Sequence, residues 1–143
     1  TLFFDEIENL TLNLQAKLLR VLETHEYYKL GGTQKYSSDF RLICATNCDL
    51  QEMVDQGLFR LDLFYRLDVA HLIVPPLRQH KEDIGVLAYN YLKQTRKHLS
   101  REALSLLCKY NWPGNVRELF NCLERAVFAA KASPVLFPQH FDI

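Results

Sequence analysis

Two carboxylates side by side, Asp5 and Glu6, close a short apolar run, Thr1-Leu2-Phe3-Phe4, in a chain of 143 residues. Adjacent acids can divide the work of phosphoryl chemistry. One holds Mg²⁺, directly or through its waters, while the other orients or polarises an attacking water. Such a pair must stand at a ligand-facing edge. An apolar run this short reads as a buried parallel strand, and open α/β sheets bind ligands beyond the carboxyl ends of their strands. Taken alone, the pair also reads as two solvated loop residues.

Other chemistry-bearing residues follow at intervals. The run Phe40-Arg41-Leu42-Ile43-Cys44-Ala45 ends in Thr46-Asn47, which sets two hydrogen-bonding side chains beside the carboxylates if the two strands are neighbours. Asn47 or Asp49 also reads as the cap of a helix over 49–56, and Asp49 with Glu52 resembles a capping box with Asp in the Ser/Thr place. Arg60 and Arg66 lie six apart on a short helix, so they project from different turns and do not grip one small anion from a single face. That geometry suits an interface. The alternative is local pairing with Asp62 or Asp68. Arg117 follows Trp112-Pro113-Gly114, a rigid lead that aims the first turn of a helix at a ligand. Its alternative is pairing with Glu118 or Asn121.

The elements that must hold these groups fall into two parts. Over residues 1–80 strand-like and helical runs alternate: strand 1–4, helix 11–24, strand 40–45, helices 49–56 and 60–67, strand 69–74. The first helix shows Leu14, Leu18, Val21 and Leu22 as an apolar stripe expected to pack on a sheet. Between Tyr27 and Tyr36, Leu30-Gly31-Gly32-Thr33 reads as a turn joining short β segments, with Lys29 beside it. His71 is read as a strand residue satisfied by its neighbours. Pro75-Pro76 ends the sheet part. Three amphipathic helices then form a small bundle over 81–131. The first is capped by Asp83 and shows Ile84, Leu87, Ala88, Tyr91 and Leu92. The second is capped by Ser100 and shows Ala103, Leu104, Leu107 and Cys108. The third, 115–130, shows Val116, Leu119, Phe120, Leu123, Ala126, Val127 and Ala130. Residues 132–143, with Pro134 and Pro138, read as the start of a linker.

Composition narrows the class. Lysine plus arginine and aspartate plus glutamate balance at 17 each, so the chain lacks the basic footprint of a nucleic-acid-binding domain. No apolar stretch approaches the ~20 residues of a membrane span, and no signal peptide opens the chain. A cytoplasmic location is expected, with no membrane partner. Cys44, Cys48, Cys108 and Cys122 show neither a C-x-x-C pair nor zinc-ribbon spacing and are read as structural thiols.

Taken in order, the strings TLFFDEI, LQAKLLRVLE, LGGT, ATNCDL, FRLDLFYRLDV, PPLRQHKEDI and WPGNVREL resemble the AAA+ ATPase domain of bacterial enhancer-binding proteins, the sigma-54-dependent transcription activators. The resemblance runs from residue 1 to about 130. It implies an α/β fold: a partial P-loop-type parallel sheet with flanking helices, followed by a small all-helical lid. It implies ATP as substrate and Mg²⁺ as cofactor, with Asp5 in the Mg²⁺ shell, Glu6 activating water, and Thr46 and Asn47 as the sensor I element. Arg60 and Arg66 become arginine fingers reaching the nucleotide of a neighbouring subunit, and Arg117 becomes sensor II, contacting the nucleotide of its own subunit. In this family a hairpin at this place lies near a central pore; Lys29, beside the turn, is a candidate participant, and its alternative is an ordinary solvated lysine. The implied partners are sigma-54 RNA polymerase, further copies of the domain in a ring of six or seven, and enhancer DNA through a separate domain outside this chain.

In that family a glycine-rich phosphate-binding loop and a GAFTGA-type loop precede the strand carrying the acidic pair. The five glycines, Gly31, Gly32, Gly57, Gly85 and Gly114, cannot build a Gly-x-x-x-x-Gly-Lys-Ser/Thr loop. The expectation is therefore a C-terminal portion of an ATPase domain, without turnover on its own. Two rivals stand beside it: an AAA+ ATPase with a different client, and a non-enzymatic oligomerisation or regulatory domain.

Overall fold

The computed structural model describes residues 1–143. The chain divides into two compact units, Thr1–Leu72 and Ile73–Ile143.

In the first unit, β1 (Leu2–Phe4) and β4 (Leu42–Cys44) form a parallel pair, with Leu2 opposite Leu42 and Phe4 opposite Cys44. The ladder continues past both strands, because Ala45 N–H donates to Phe4 O at 2.8 Å and Ile7 N–H to Ala45 O at 3.1 Å. Between the two strands run α1 (Leu12–Thr24) and an antiparallel hairpin of β2 (Glu26–Tyr28) and β3 (Lys35–Ser37). Thr11 caps α1 by accepting from Leu14 N–H. Gly31, at φ 73°, supplies the left-handed residue of the hairpin turn. Lys29 Nζ lies 4.6 Å from the centroid of the Tyr36 ring. Two short helices, α2 (Leu50–Asp55) and α3 (Leu61–Leu67), follow β4.

Two expectations fail, one at the end of this unit and one on α1. Residues 69–74 form no strand, because β1 and β4 make a two-stranded sheet and no neighbour takes up the backbone groups of this run. Leu72 is 85% exposed, and His71 faces solvent about the loop with Asp68 at 3.8 Å. The stripe on α1 is also rotated. Leu14 is 47% exposed, while Gln15 is fully buried; Leu18, Leu19 and Leu22 pack against Ile7, Phe59 and Leu63.

The second unit is a three-helix bundle of α4 (Asp83–Leu92), α5 (Arg101–Lys109) and α6 (Asn115–Ala129). Leu77, Ile84, Leu92, Leu107, Trp112 and Leu123 lie in its core, and the stacked rings of Tyr91 and Phe120 add a contact between α4 and α6. Ser100 caps α5 by accepting from Ala103 N–H at 3.1 Å. Asp83 sits inside the first turn of α4, one residue beyond the cap position it was expected to fill, and Glu82 takes that position without a side-chain bond. Residues 132–143 do not leave the bundle as a linker. Val135–Leu136 (β6) pairs in parallel with His98–Leu99 (β5), and Leu136 is fully buried. Two apolar residues with a ladder to join return to the core rather than solvent. Cys122 is buried there and Cys108 packs against the same cluster; burial pushes the Cys122 thiol up.

Candidate functional site

The parallel register of β1 and β4 decides the geometry of the first unit. Because Phe4 faces Cys44 and the ladder runs on to Ala45, Asp5-Glu6 and Thr46-Asn47 leave the sheet at the same carboxyl edge. All four are exposed. That edge is where an open α/β sheet binds its ligands.

Each carboxylate is already partly oriented. Asp5 Oδ1 accepts from Glu6 N–H at 3.1 Å, and Glu6 Oε2 accepts from Asn9 Nδ2 at 3.0 Å. Glu6 adopts a left-handed backbone, φ 53° and ψ 50°, a conformation that costs a non-glycine residue on the order of 1 kcal/mol. The turn breaks the strand at this point and starts the 3-10 turn Ile7–Asn9. The remaining lone pairs of Asp5 are free for a cation. No third His, Cys, Asp or Glu completes a metal-binding group, so the protein offers one or two hard oxygens. Mg²⁺ takes such a donor set when phosphates and water complete its shell.

Asp49, not Asn47, caps α2: its Oδ1 accepts from Gln51 and Glu52 N–H at 2.8 and 3.3 Å. Asn47 Oδ1 accepts only from Cys48 Sγ, at 3.1 Å, and its amide nitrogen is free to donate. Thr46 Oγ1 accepts from Cys48 N–H at 3.1 Å, so it shapes the turn that presents Asn47.

Arg60 is the cap residue of α3 and Arg66 lies near its end. Arg60 takes the local pairing with Asp62, Nε to Oδ1 at 3.0 Å and Nη2 to Oδ2 at 2.7 Å. The guanidinium so placed holds the Asp62 carboxyl below its ordinary range. Arg66 Nη2 donates to Leu22 O, at the end of α1, at 3.0 Å. Both arginines remain exposed.

Arg117, in the second unit, is exposed in the first turn of α6 and forms no ion pair. Its nearest competitor for pairing is occupied: Glu118 Oε2 accepts from Gly114 N–H at 2.8 Å and Oε1 from the Tyr110 hydroxyl at 3.4 Å. A Cβ on Gly114 would lie 2.8 Å from that of Glu118, so glycine is required for the closure. Trp112 Nε1 donates to Leu107 O at 2.8 Å, and Asn115 Oδ1 accepts from Leu77 N–H at 2.9 Å. The lead into α6 is thus fixed at several points.

Three positions escaped the sequence reading: Asn9, Asn115 and Gln15. Asn9 and Asn115 carry no signal beyond their neighbourhood. Gln15 did, because 15, 18, 19 and 22 follow the i, i+3, i+4, i+7 spacing of a buried face and place a polar residue inside it.

Comparison with known proteins agrees with this division. The sigma-54 interaction domain matches residues 1–73, and the AAA+ ATPase lid domain matches residues 78–142. Regulatory protein AtoC of Escherichia coli (strain K12) is 49% identical over 146 residues, covering 97% of this chain and 32% of that protein. The Nif-specific regulatory protein of Azospirillum brasilense is 48% identical over 132 residues, covering 88% and 21%. Crystal structures of NtrX from Brucella abortus in complex with ADP and with ATP each superpose with a TM-score of 0.89 at 31% identity. They cover 98% of this chain and 34% and 35% of theirs. The chain therefore spans about a third or less of these relatives. With the two matched stretches falling on either side of the division between its compact units, the chain belongs to the sigma-54 interaction domain family and carries an AAA+ ATPase lid as its second unit.

Proposed function

We propose that this chain supplies the acidic pair, the polar sensor, the arginine fingers and the lid of an ATP-hydrolysing transcription activator. The activator assembles as a ring and remodels sigma-54 RNA polymerase holoenzyme. The observation that supports it is the shared carboxyl edge of β1 and β4, which brings Asp5, Glu6 and Asn47 together on a sheet of this family. Mg²⁺, held by Asp5 directly or through water, would neutralise phosphate charge. Glu6 orients the attacking water with Oε1 while Asn9 steadies Oε2. Asn47 donates its amide to the terminal phosphate. Arg60 and Arg66 stabilise charge on the phosphoryl group of the adjacent subunit, Arg60 by exchanging Asp62 for a phosphate oxygen, an exchange that a solvent-exposed pair permits at little cost. Arg117 contacts the nucleotide of its own subunit from the lid. A catalytic arginine supplied in trans requires a neighbour, which is why a ring is part of the proposal.

Phosphate binding belongs to a segment not contained in residues 1–143, and these residues alone are expected to be inactive. Tests therefore use an intact domain, in which a phosphate-binding half precedes residue 1. In it, Arg66→Ala should bind ATP yet lose about 10³ in turnover, and mixing it with equally inactive Glu6→Gln should restore part of the activity. Mixed rings contain interfaces at which an intact Glu6 faces an intact Arg66. Mixtures that stay inactive although mixed rings form would place these arginines outside the neighbour's site.

A further inference from the structure

The one polar side chain fully enclosed in the molecule, Gln15, ties the acidic turn to the start of the arginine helix. Its Nε2 donates to Leu10 O at 2.8 Å and to Leu58 O at 3.1 Å, and its Oε1 accepts from Arg60 N–H at 2.8 Å. Both donor hydrogens and one acceptor are therefore used. The opposite amide orientation would turn the oxygen towards two carbonyls and the NH₂ towards an N–H, so these partners dictate one orientation. Leu10 closes the 3-10 turn that begins immediately after Glu6. Leu58 and Arg60 flank Phe59, which is buried with Ile7 and Leu63. As the cap residue of α3, Arg60 has a backbone N–H outside the helical ladder, and Gln15 is the partner that satisfies it.

A leucine or methionine would fill the same volume. It would also leave two carbonyls and one N–H without the partner that Gln15 supplies, in a part-buried setting where each lost bond is unfavourable. Packing alone does not call for an amide here; the backbone on either side of Phe59, leading into Arg60, does. We propose that Gln15 is a positioning residue for Arg60. It fixes the backbone from which that side chain leaves and joins it to the element carrying Asp5 and Glu6, so the arginine offered to a neighbour and the carboxylates used within the subunit share one frame. This inference rests on the trans-acting arginine proposed above.

Its test is a set of mixtures of the intact domain. Gln15→Met should assemble and bind ATP within about threefold of the parent, with turnover reduced about 10²-fold, the scale expected of a 1 Å displacement at a reacting group. Mixed with Glu6→Gln it should regain activity, since its own Glu6 then meets a well-placed Arg60 from the partner. Mixed with Arg60→Ala it should not. Gln15→Glu, which keeps the acceptor for Arg60 N–H but not both donations, should show the same pattern and serves if the methionine variant is insoluble. Undiminished turnover in Gln15→Met overturns the assignment. So does recovery with Arg60→Ala instead of Glu6→Gln, which would place the defect on the carboxylates, and so does failure of both Gln15 variants to assemble. The control is Arg60→Ala with Glu6→Gln. If that mixture stays inactive in mixed rings, the trans-arginine reading itself fails; if it recovers while Gln15→Met with Glu6→Gln does not, only the role of Gln15 is lost.

Discussion

The two units solve the problem of a core differently. Residues 73–143 enclose a cluster of twelve buried residues from three helices, from Leu77 and Trp112 outside them, and from the returning segment around Leu136. In residues 1–72 the corresponding cluster has three, Ile7, Phe59 and Leu63, with Gln15 buried as well. The first unit instead leaves Phe3, Ile43, Tyr65 and Leu72 exposed and carries most of the candidate chemistry on its surface. A small unit with a thin core and apolar residues in solvent is suited to being covered by other protein, whereas the bundle has the larger core of its own, with Val86, Tyr89 and Phe128 still exposed on it.

The largest effect expected from this contrast is in autonomous folding. Residues 73–143 alone should show a cooperative thermal transition by circular dichroism, and residues 1–72 alone should not. A sharp transition in the first piece would break the comparison. Next in size, Trp112→Ala should destabilise the second unit by about 3–5 kcal/mol in a denaturant titration, because a fully buried ring and its bond to Leu107 O are lost. Smaller is the effect at a cap: Ser100→Ala should cost about 1 kcal/mol, more than Leu14→Ala and less than Trp112→Ala, since Ala103 N–H loses its side-chain partner. Leu14→Ala, at a position the apolar stripe marks as core, should change stability by no more than about 0.5 kcal/mol. A shift in denaturant midpoint of similar size for Trp112→Ala and Ser100→Ala would mean that the bundle core is less tightly packed than its burial indicates.

Much of this was legible in the residues. Short apolar runs ending on polar pairs gave β1 and β4, and the caps Ser100 and Asp49 are local bonds that depend only on nearby backbone. Strand 69–74 failed because a strand is defined by its neighbour, and an apolar run carries no record of whether that neighbour is present. The same limit explains β5 and β6, two residues each, whose pairing joins positions far apart in sequence. On α1 the apolar periodicity marks Leu14 as core, whereas the buried face runs through 15, 18, 19 and 22 and includes one polar member, Gln15. The edge that gathers Asp5, Glu6, Thr46 and Asn47 depended on a single conditional, that β1 and β4 are adjacent, and the parallel ladder satisfies it. The pairing of Arg60 with Asp62 was one of two alternatives the spacing left open.

The central claim is that the adjacent acids at the end of β1 have separate tasks. It is tested most directly by measuring ATP binding with and without Mg²⁺, together with steady-state turnover, for Glu6→Gln and Asp5→Ala in the intact domain. The account predicts that Glu6→Gln keeps its Mg²⁺-dependent affinity within about threefold while turnover falls by at least about 10², and that Asp5→Ala loses the Mg²⁺-dependent part of binding as well. Equal losses of affinity in both variants, or turnover that survives Glu6→Gln, would contradict it.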